Sequence, residues 1–354
     1  MRSVDPTPLV SLITINYNGL KYLKNLYDSF FKLDYPNLEL IMVDNASTDG
    51  SYDFVKVHYP NVRLVQNSQN FMFARGNNEG IKIAQGEIIG LINNDVEVSA
   101  DFLHPIVQAF REMPELAACQ PKVRDLTQPE LFEYAGAAGG FIDRYGYPFM
   151  RGRLFFTVEE DRGQYDKPLE IFWSTGACFF FRRSVIDEIG LLDEDFVMHM
   201  EEIDLCWRMH LRGHKIFCIP AALVWHKGGG TLAPDNPRKT YWNFRNNIFL
   251  LVKNSGIANL FRFLIFRLFL DFTALVREML LGKIKNSWSI IKAYLWLLLH
   301  LPLLIRKRQK SQNQRKVTDQ EIFRLVYPGS IVWEYFIRGR KKFTELRKIN
   351  RWLN

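Results

Sequence analysis

The stretch Leu40–Ser51 reads LIMVDNASTDGS, a hydrophobic strand that runs straight into a polar turn carrying carboxylates. GLINNDVEV, Gly90–Val98, repeats that arrangement. An apolar run over 9–15, followed by a helical pattern, makes residues 9–43 a predicted βαβ unit with parallel strands. Open α/β sheets bind ligands outside the carboxyl ends of their strands. Strands that each deliver an Asp to that edge therefore predict a polar, metal-assisted active site.

The rest of the first 250 residues shows the same alternation of strand and helix patterns. Ser47 is expected to cap the helix that follows it, and Gly86 to end another. The Gly- and aromatic-rich region 134–152 predicts loops and hairpins. Further strands are predicted over 62–66, 87–92, 171–183, 215–219 and 222–225, and helices over 51–58, 75–85 and 101–113.

Composition and charge limit the partners. The 354 residues, 47% apolar and 24% charged, are enough for a sizeable core. Residues 250–354 hold 21 Lys and Arg against 6 Asp and Glu, whereas the remainder is acidic. A basic tail on an acidic domain predicts an anionic partner, either nucleic acid or membrane. The four cysteines lack CxxC spacing and are expected to be buried thiols in a reducing compartment, and the N-terminus shows no signal-peptide pattern.

The basic tail contains two apolar segments. Leu260–Leu281 carries a narrow polar stripe that includes Arg267 and Asp271, and Trp288–Ile305 leads into the basic run Arg306–Lys310. Both predict helices that lie in a membrane interface with the basic run against anionic headgroups. Packing on the catalytic domain or in a homodimer remains the alternative. The apolar runs argue against nucleic acid as the partner.

The segment Phe196–Gly213, FVMHMEEIDLCWRMHLRG, places three carboxylates at the mouth of a short amphipathic helix. Asp204 and Arg208 are four residues apart, which is also the spacing of an ordinary helix-surface ion pair. Glu201 and Glu202 follow an apolar run directly. Apolar surroundings at the start of a helix raise the pKa of a carboxyl group toward neutrality, which suits a general base.

Three other positions carry weaker signals. Asp44 follows a strand, where an Asx turn is the simpler interpretation. Asp95, in NNDVEV, offers a carboxylate beside two amides, hard oxygen ligands suited to Mg²⁺ or Mn²⁺. His226 closes a strand before a Gly triplet, where it is either structural, an imidazole ligand or a diphosphate contact.

Seven motifs in order resemble the inverting glycosyltransferases of family 2 with the GT-A fold, and their bacterial rhamnosyltransferase-like branch in particular. The resemblance covers about residues 8–250, and its motifs are VSLITINYNG, VDNASTDGS, FMFARGNNEGI, NNDVEV, STGACFFFRR, EEIDLCWR and VWHKGGG. It implies a Rossmann-like, mostly parallel α/β sheet flanked by helices over 1–250, with a helical, basic, amphipathic extension over 251–354.

The resemblance also implies residue roles. Glu202 takes the position of the catalytic base, beside Glu201. The metal is expected on Asp95, with His226 as second ligand or diphosphate contact. Trp173, Gly176 and Ala177 are expected to shape the acceptor side. The donor side is expected to comprise Tyr17, Asp44, Gly76, Asn78, Asn93, Asn94 and Arg245.

Two departures from the family pattern matter. The base position is commonly Asp but is Glu here, and the metal motif is Asn-Asn-Asp rather than Asp-x-Asp. The implied function is transfer of a sugar, such as rhamnose, from a nucleotide-diphosphate donor to a glycan or polyprenyl-diphosphate-linked acceptor. It uses Mn²⁺ or Mg²⁺ and takes place in the cytoplasm, on the inner face of the cell membrane.

Rival functions fit the sequence less well. A nucleotidyltransferase or a dinucleotide-dependent oxidoreductase needs a glycine-rich loop after the first strand, but that turn reads NYNG. A processive synthase of the same family needs several membrane spans and a Gln-x-x-Arg-Trp signature, and the sequence shows neither pattern. A non-catalytic sugar-nucleotide-binding subunit of an assembly complex remains open.

Overall fold

The computed structural model describes residues 7–228, 236–347, 349 and 352. The N-terminal residues that bear on a signal peptide, and Gly229 and Gly230 of the Gly triplet, lie outside them.

Fourteen strands and eleven α-helices form within the described residues. The strands are β1 Val10–Asn16, β2 Leu38–Asp44, β3 Arg63–Gln66, β4 Ile88–Ile92, β5 Val96–Val98, β6 Leu116–Asp125, β7 Gly140–Asp143, β8 Pro148–Met150, β9 Arg153–Leu154, β10 Thr157–Val158, β11 Leu169–Glu170, β12 Cys178–Arg182, β13 Lys215–His226 and β14 Val326–Tyr327. The helices are α1 Leu20–Phe30, α2 Ser51–His58, α3 Met72–Ile83, α4 Leu103–Glu112, α5 Arg183–Ile189, α6 Glu201–Leu211, α7 Pro237–Asn254, α8 Ile257–Leu280, α9 Ile284–Leu299, α10 Leu301–Asn313 and α11 Asp319–Phe323.

A central sheet organises the first part of the chain, in the order β11-β13-β6-β12-β4-β1-β2-β3, with β5 beside β13. The block β4-β1-β2-β3 is parallel, as the predicted βαβ unit requires. Strand β12 is antiparallel to both β4 and β6, and β13 is parallel to β6. The α/β class is confirmed, but the sheet is mixed rather than mostly parallel, because an apolar run does not encode the direction of its strand.

Several predicted elements need correction. Helix α2 spans the predicted residues, but its N-cap is Gly50, because Ser47 instead accepts hydrogen bonds from Asn16 and Asn18. Helix α3 ends at Ile83, before Gly86. The strand predicted over 171–183 is reduced to β12. The two strands predicted over 215–225 form one strand, β13, with a register shift.

A second, smaller sheet has the order β10-β9-β8-β7-β14. Four of its strands come from the hairpin region predicted over 134–152 and the residues just after it. The fifth, β14, comes from the C-terminal part and pairs in parallel with β7. The predicted boundary at residue 250 falls inside α7, so the C-terminal segment is joined to the catalytic region by both a helix and a strand.

Helices α7 to α10 pack on the N-terminal α/β region. Part of the predicted basic run makes contacts within this packing. The Lys307 amine lies 2.6 Å from carboxylate oxygens of Asp193 and Asp195. Arg308 donates to backbone carbonyls of Val252 and Ser255. These two side chains are therefore not available to lipid headgroups, contrary to the prediction for the run Arg306–Lys310.

The four cysteines are free and buried, as predicted. Among the described residues, no single helix is long and apolar enough to cross a membrane. The pair α9 and α10, bent by 72°, passes that criterion only when taken together.

Candidate active site

Polar side chains converge where β1 and β2 end. The Asn16 amide donates to Asp44 Oδ1 at 3.1 Å, and the Ser47 backbone N–H donates to Asp44 Oδ2 at 2.9 Å. Asn94 donates to Asn16 Oδ1 at 2.7 Å and so ties this edge to the end of β4. Asp44 is completely buried, as in an Asx turn, while Tyr17 beside it is 52% exposed. Asn16 was missed by the sequence reasoning, although it opens the predicted turn.

Asp95 and His226 lie together at the same edge. Their Oδ1 and Nε2 atoms are 3.0 Å apart, because β5 pairs with the end of β13. On the other side of the ring, His226 Nδ1 lies 3.4 Å from Glu133 Oε2, a neighbour the sequence did not indicate. Although burial opposes the charge, Asp95 and Glu133 raise the pKa of His226 to about 10. The two carboxylates therefore favour the protonated imidazole, which suits a diphosphate contact, whereas the ring could ligate a cation only after losing a proton.

The chemistry of this group fits a divalent cation. Within the described residues no set of three or more His, Cys, Asp or Glu side chains is arranged as a complete metal site. Glu133 Oε1 and His226 Nδ1 are nevertheless buried without a hydrogen-bond partner there. Mg²⁺ and Mn²⁺ usually keep waters and substrate phosphates among their ligands and need only one or two carboxylates. The prediction of Asp95 with His226 is compatible with this arrangement.

The segment 173–177 links the strand edge to α6. The Asn93 backbone N–H donates to Ala177 O at 3.0 Å, and the Ser174 N–H contacts Cys206 Sγ at 3.4 Å. Gly176 faces Phe73, whose ring would lie 3.1 Å from an added Cβ. Trp173 differs from its prediction, because its indole is buried and donates to Phe141 O at 2.8 Å.

Helix α3 carries two more of the predicted donor residues, Gly76 and Asn78. An added Cβ at Gly76 would come within 2.2 Å of Ile15 Cδ1, so this glycine lets α3 lie against the end of β1. Asn78 is buried and bonds the backbone of Leu192 and the carboxylate of Glu194. Its side chain therefore tethers the loop before α6 rather than lining the nucleotide side as predicted.

Glu201 and Glu202 are the first two residues of α6. Burial raises the pKa of Glu202 to about 7. Burial, and then the neighbouring Glu202, raise the pKa of Glu201 well above its usual value. The Oε2 atom of each is buried without a hydrogen-bond partner among the described residues. A carboxyl group with a pKa near 7 and a free oxygen is suited to take a proton from a substrate.

Asp204 has a different role. Its Oδ2 lies 2.9 Å from Arg208 Nε and 2.8 Å from Lys253 Nζ, while Asn254 donates to Oδ1 at 2.8 Å. The expected pair with Arg208 is present, but it is buried between α6 and α7 and not on the surface.

The loop before α6 is held by α7. Val197, His199 and Met200 have φ between 67° and 73°, a left-handed conformation that costs non-glycine residues about 1 kcal/mol or more each. The Asn246 amide lies 2.7–2.9 Å from the carbonyls of Phe196, Met198 and His199.

Arg245 acts on the same loop. It donates to the carbonyls of Asp195 and Phe196 and lies between the rings of Trp242 and Trp296. This buried position differs from the diphosphate contact predicted for it. No signal in the sequence links the pair Arg245–Asn246 to a loop about fifty residues earlier.

Comparison with known proteins shows the family of the chain. The family model "Glycosyl transferase family 2" matches residues 11–190. The N-acetylglucosaminyl-diphospho-decaprenol L-rhamnosyltransferase of Mycobacterium tuberculosis is 24% identical over 71% of this chain and 86% of its own length. An uncharacterised protein of Sinorhizobium fredii is 27% identical over 69% of this chain, which spans only 27% of that longer protein.

Solved structures give the fold. S. aureus TarS 1–349 in complex with UDP superposes with a TM-score of 0.53 at 17% identity, covering 94% of this chain and 92% of that one. GalNAc-T7 with UDP, GalNAc and Mn²⁺ gives a TM-score of 0.55 at 15% identity over 70% of this chain and 48% of its own. With the family model covering half of the sequence, the chain belongs to glycosyltransferase family 2 and has the GT-A fold, and its similarity extends to the rhamnosyltransferase-like branch.

Proposed function

We infer that this glycosyltransferase moves a sugar, with inversion at the anomeric carbon, from a nucleotide-diphosphate sugar to a hydroxyl group of a glycan or polyprenyl-diphosphate-linked saccharide. The observation that carries the proposal is the carboxyl group of Glu202. It has a free buried oxygen and a pKa of about 7, and the segment 173–177 connects its helix to the strand edge that holds Asp95.

Glu202 is the proposed base. It takes the proton of the acceptor hydroxyl as that oxygen bonds to the anomeric carbon. The bond from that carbon to the diphosphate breaks, and its electron pair leaves with the diphosphate. Attack from the face opposite the leaving group inverts the configuration.

The donor end is assigned to the strand edge. A bound divalent cation, Mn²⁺ or Mg²⁺, would supply counter-charge to the departing diphosphate. Asp95 would hold it with the amides of Asn93 and Asn94, and His226 would act as second ligand or diphosphate contact. The Mn²⁺ and UDP in the GalNAc-T7 structure support this assignment by analogy of fold. The exposed Tyr17 ring is the proposed contact for the nucleotide base, above the buried Asp44.

The relatives and the charge support a proposal for the acceptor and the location. The mycobacterial relative is named for a decaprenyl-diphosphate-linked acceptor and for rhamnose. With a lipid-linked acceptor, the proposed site of the reaction is the inner face of the cell membrane, with the protein bound peripherally from the cytoplasm. The basic C-terminal region agrees with such a location.

The direct test is a panel of nucleotide sugars, including a rhamnose donor, assayed for nucleotide release and sugar transfer with Mn²⁺, Mg²⁺ or EDTA. We expect release with at least one donor, loss of cation stimulation in Asp95→Ala, and partial loss in His226→Ala. Asp101→Ala, which changes an exposed carboxylate six residues further on, is the control.

Two results would count against the proposal. Full activity in EDTA would exclude the cation role of Asp95. Absence of both hydrolysis and transfer across the panel would favour a non-catalytic binding subunit.

A further inference from the structure

Helices α8 and α9 present an unusually apolar surface. Of the 27 large apolar side chains that are exposed in the described residues, 17 lie between residues 257 and 299. We call this surface the outer face; on α8 it includes Phe261, Ile265, Phe269 and Phe272, each at least 63% exposed, and on α9 Leu295 and Leu298. Monomeric proteins in water rarely expose a contiguous apolar patch of this kind without a partner for it.

The inner face of the same helices mixes apolar side chains with buried polar and charged ones. Arg267 and Asp271 of α8 are almost completely buried and lie 2.8 Å apart. Tyr294 of α9 donates to Asp271 at 2.7 Å, and the Arg267 guanidinium lies over the ring of Tyr147, 4.1 Å from its centre. A helix on the surface of a water-soluble domain has charges outside and apolar residues inside. The outer face is apolar where such a helix would be charged, and this points to an apolar medium outside α8 and α9.

Charge decides between a lipid surface and a second copy of the chain. Residues 257–313 contain ten Lys and Arg, seven of them besides the inward-facing Arg267, Lys307 and Arg308, but only two acids. Exposed cations border the outer face, among them Lys285, Lys292 and Arg306. A two-fold dimer would set this cationic surface against itself. An anionic bilayer complements both the apolar face and the basic border.

We propose that the outer face of α8 and α9 inserts into the interfacial layer of an anionic phospholipid bilayer, with both helices parallel to the membrane plane. Helix α8 has 24 residues and a length of about 36 Å. Trp288, half exposed on α9, is a residue type enriched at the level of the headgroups. The insertion rests on the outer face alone, whereas its use in delivering a lipid-linked acceptor rests on the proposed function.

The surface is connected to the candidate base. On its inner side, α9 places Trp296 against the guanidinium of Arg245, 4.4 Å from the ring centre. Arg245 and its neighbour hold the loop that enters α6 at Glu201 and Glu202. A bilayer bound to the outer face is therefore connected through α9 and α7 to the loop that precedes the candidate base on α6.

The test is flotation of the full chain with vesicles of phosphatidylglycerol and phosphatidylethanolamine, and with phosphatidylcholine vesicles for comparison. Phe269→Glu and Leu298→Glu change exposed side chains of the outer face, so the fold should be retained. Val57→Glu is the matched control, since Val57 is 71% exposed on α2. Burying one Phe or Leu in lipid accounts for about a tenfold change in partitioning, so each outer-face variant should bind at least about tenfold more weakly. The control should bind like the wild type, and added salt should weaken binding of all forms.

Nucleotide release in solution, measured on the same proteins, separates this proposal from the proposed function. We expect the variants to retain release from the donor while losing vesicle binding. Equal binding of the wild type and both outer-face variants, or no binding to anionic vesicles, would overturn the proposal. A wild type that is dimeric by light scattering and becomes monomeric in Phe269→Glu, without vesicle binding, would assign the face to a second copy instead.

Discussion

The carboxyl groups at the start of α6 lie in two environments that differ over a single helical turn. Asp204 is surrounded by Arg208, Lys253 and Asn254, and each of its oxygens has a partner. Glu201 and Glu202 are also buried at their carboxyl ends, but each keeps one oxygen without a partner in the described residues. The motif EEID therefore contains acids of two kinds, which local spacing alone cannot separate.

The difference between the two environments shows which of these buried acids can exchange a proton. At Asp204, Arg208 of α6 and Lys253 of α7 compensate the buried charge, so the acid joins the two helices. At Glu201 and Glu202, burial without compensation raises both pKa values and leaves the groups ready to exchange a proton. Nearby cations, rather than position in the helix, distinguish a structural acid from a candidate base.

The largest expected effect is loss of the base. Glu202→Gln keeps the size of the side chain but cannot accept a proton. We expect turnover to fall by about 10²–10⁴-fold, the usual contribution of a general base, with donor binding retained. Glu201→Gln should reduce turnover less.

The pH profile gives a second measurement of the same prediction. The base acts when deprotonated, so wild-type kcat/KM should rise with pH and level off above about 7, the pKa of Glu202. Glu202→Gln should lose this rise. A variant that kept both normal turnover and the rising limb would move the role of base to another group.

The next effect concerns the compensated acid. Asp204→Asn preserves shape but removes the charge between Arg208 and Lys253. Breaking a buried ion pair by neutralising one partner costs about 3–5 kcal/mol, so the free energy of unfolding in denaturant should fall by an amount of that order. Asp28→Asn, at the exposed pair with Lys24, is the control and should unfold like the wild type. Equal stability of Asp204→Asn and wild type would remove the contrast between the two environments.

A smaller effect is expected at the loop that precedes α6. Asn246→Ala removes the donors to three carbonyls of the loop 196–199, and misplacement of a base by about 1 Å costs up to about 10²-fold. We expect kcat to fall by about 10–100-fold with little change in donor KM, and the midpoint of the pH profile to shift.

Asn247→Ala is the matched control, because Asn247 is equally buried on α7 but donates to Gly146, away from the loop. If both variants lost stability and activity alike, Asn246 would be only a packing residue.

The sequence predicted the local parts of this arrangement better than the long-range ones. The βαβ unit, α2 and the start of α6 follow from periodicity and from acids in a first helical turn. The spacing of Asp204 and Arg208 predicted their pair, but not that Lys253 would bury it. The antiparallel β12 and the C-terminal β14 depend on partners far away in the chain.

The same limit explains the misplaced site residues. Arg245 in YWNFRNN looks like a free cation, and only the fold shows it against the carbonyls of Asp195 and Phe196. The polar stripe with Arg267 and Asp271 was identified correctly. Which side of the helix faces the protein depends on contacts with Tyr147 and Tyr294. The periodicity of the helix does not predict these contacts.

The smallest effect is on stability, and it has the opposite sign to the loss at Asp204. Burial raises the pKa of Glu201 in the folded protein well above its value in the unfolded chain, so folding favours the protonated form. The stability due to this group is fully present below the unfolded pKa and is lost as pH rises toward the folded one. Glu201→Gln has no proton to lose. Its thermal unfolding midpoint should therefore exceed that of the wild type at pH 8, and the difference should shrink toward pH 5. A midpoint below that of the wild type at pH 8 would mean that the folded protein stabilises the Glu201 carboxylate, which would then be a compensated acid like Asp204.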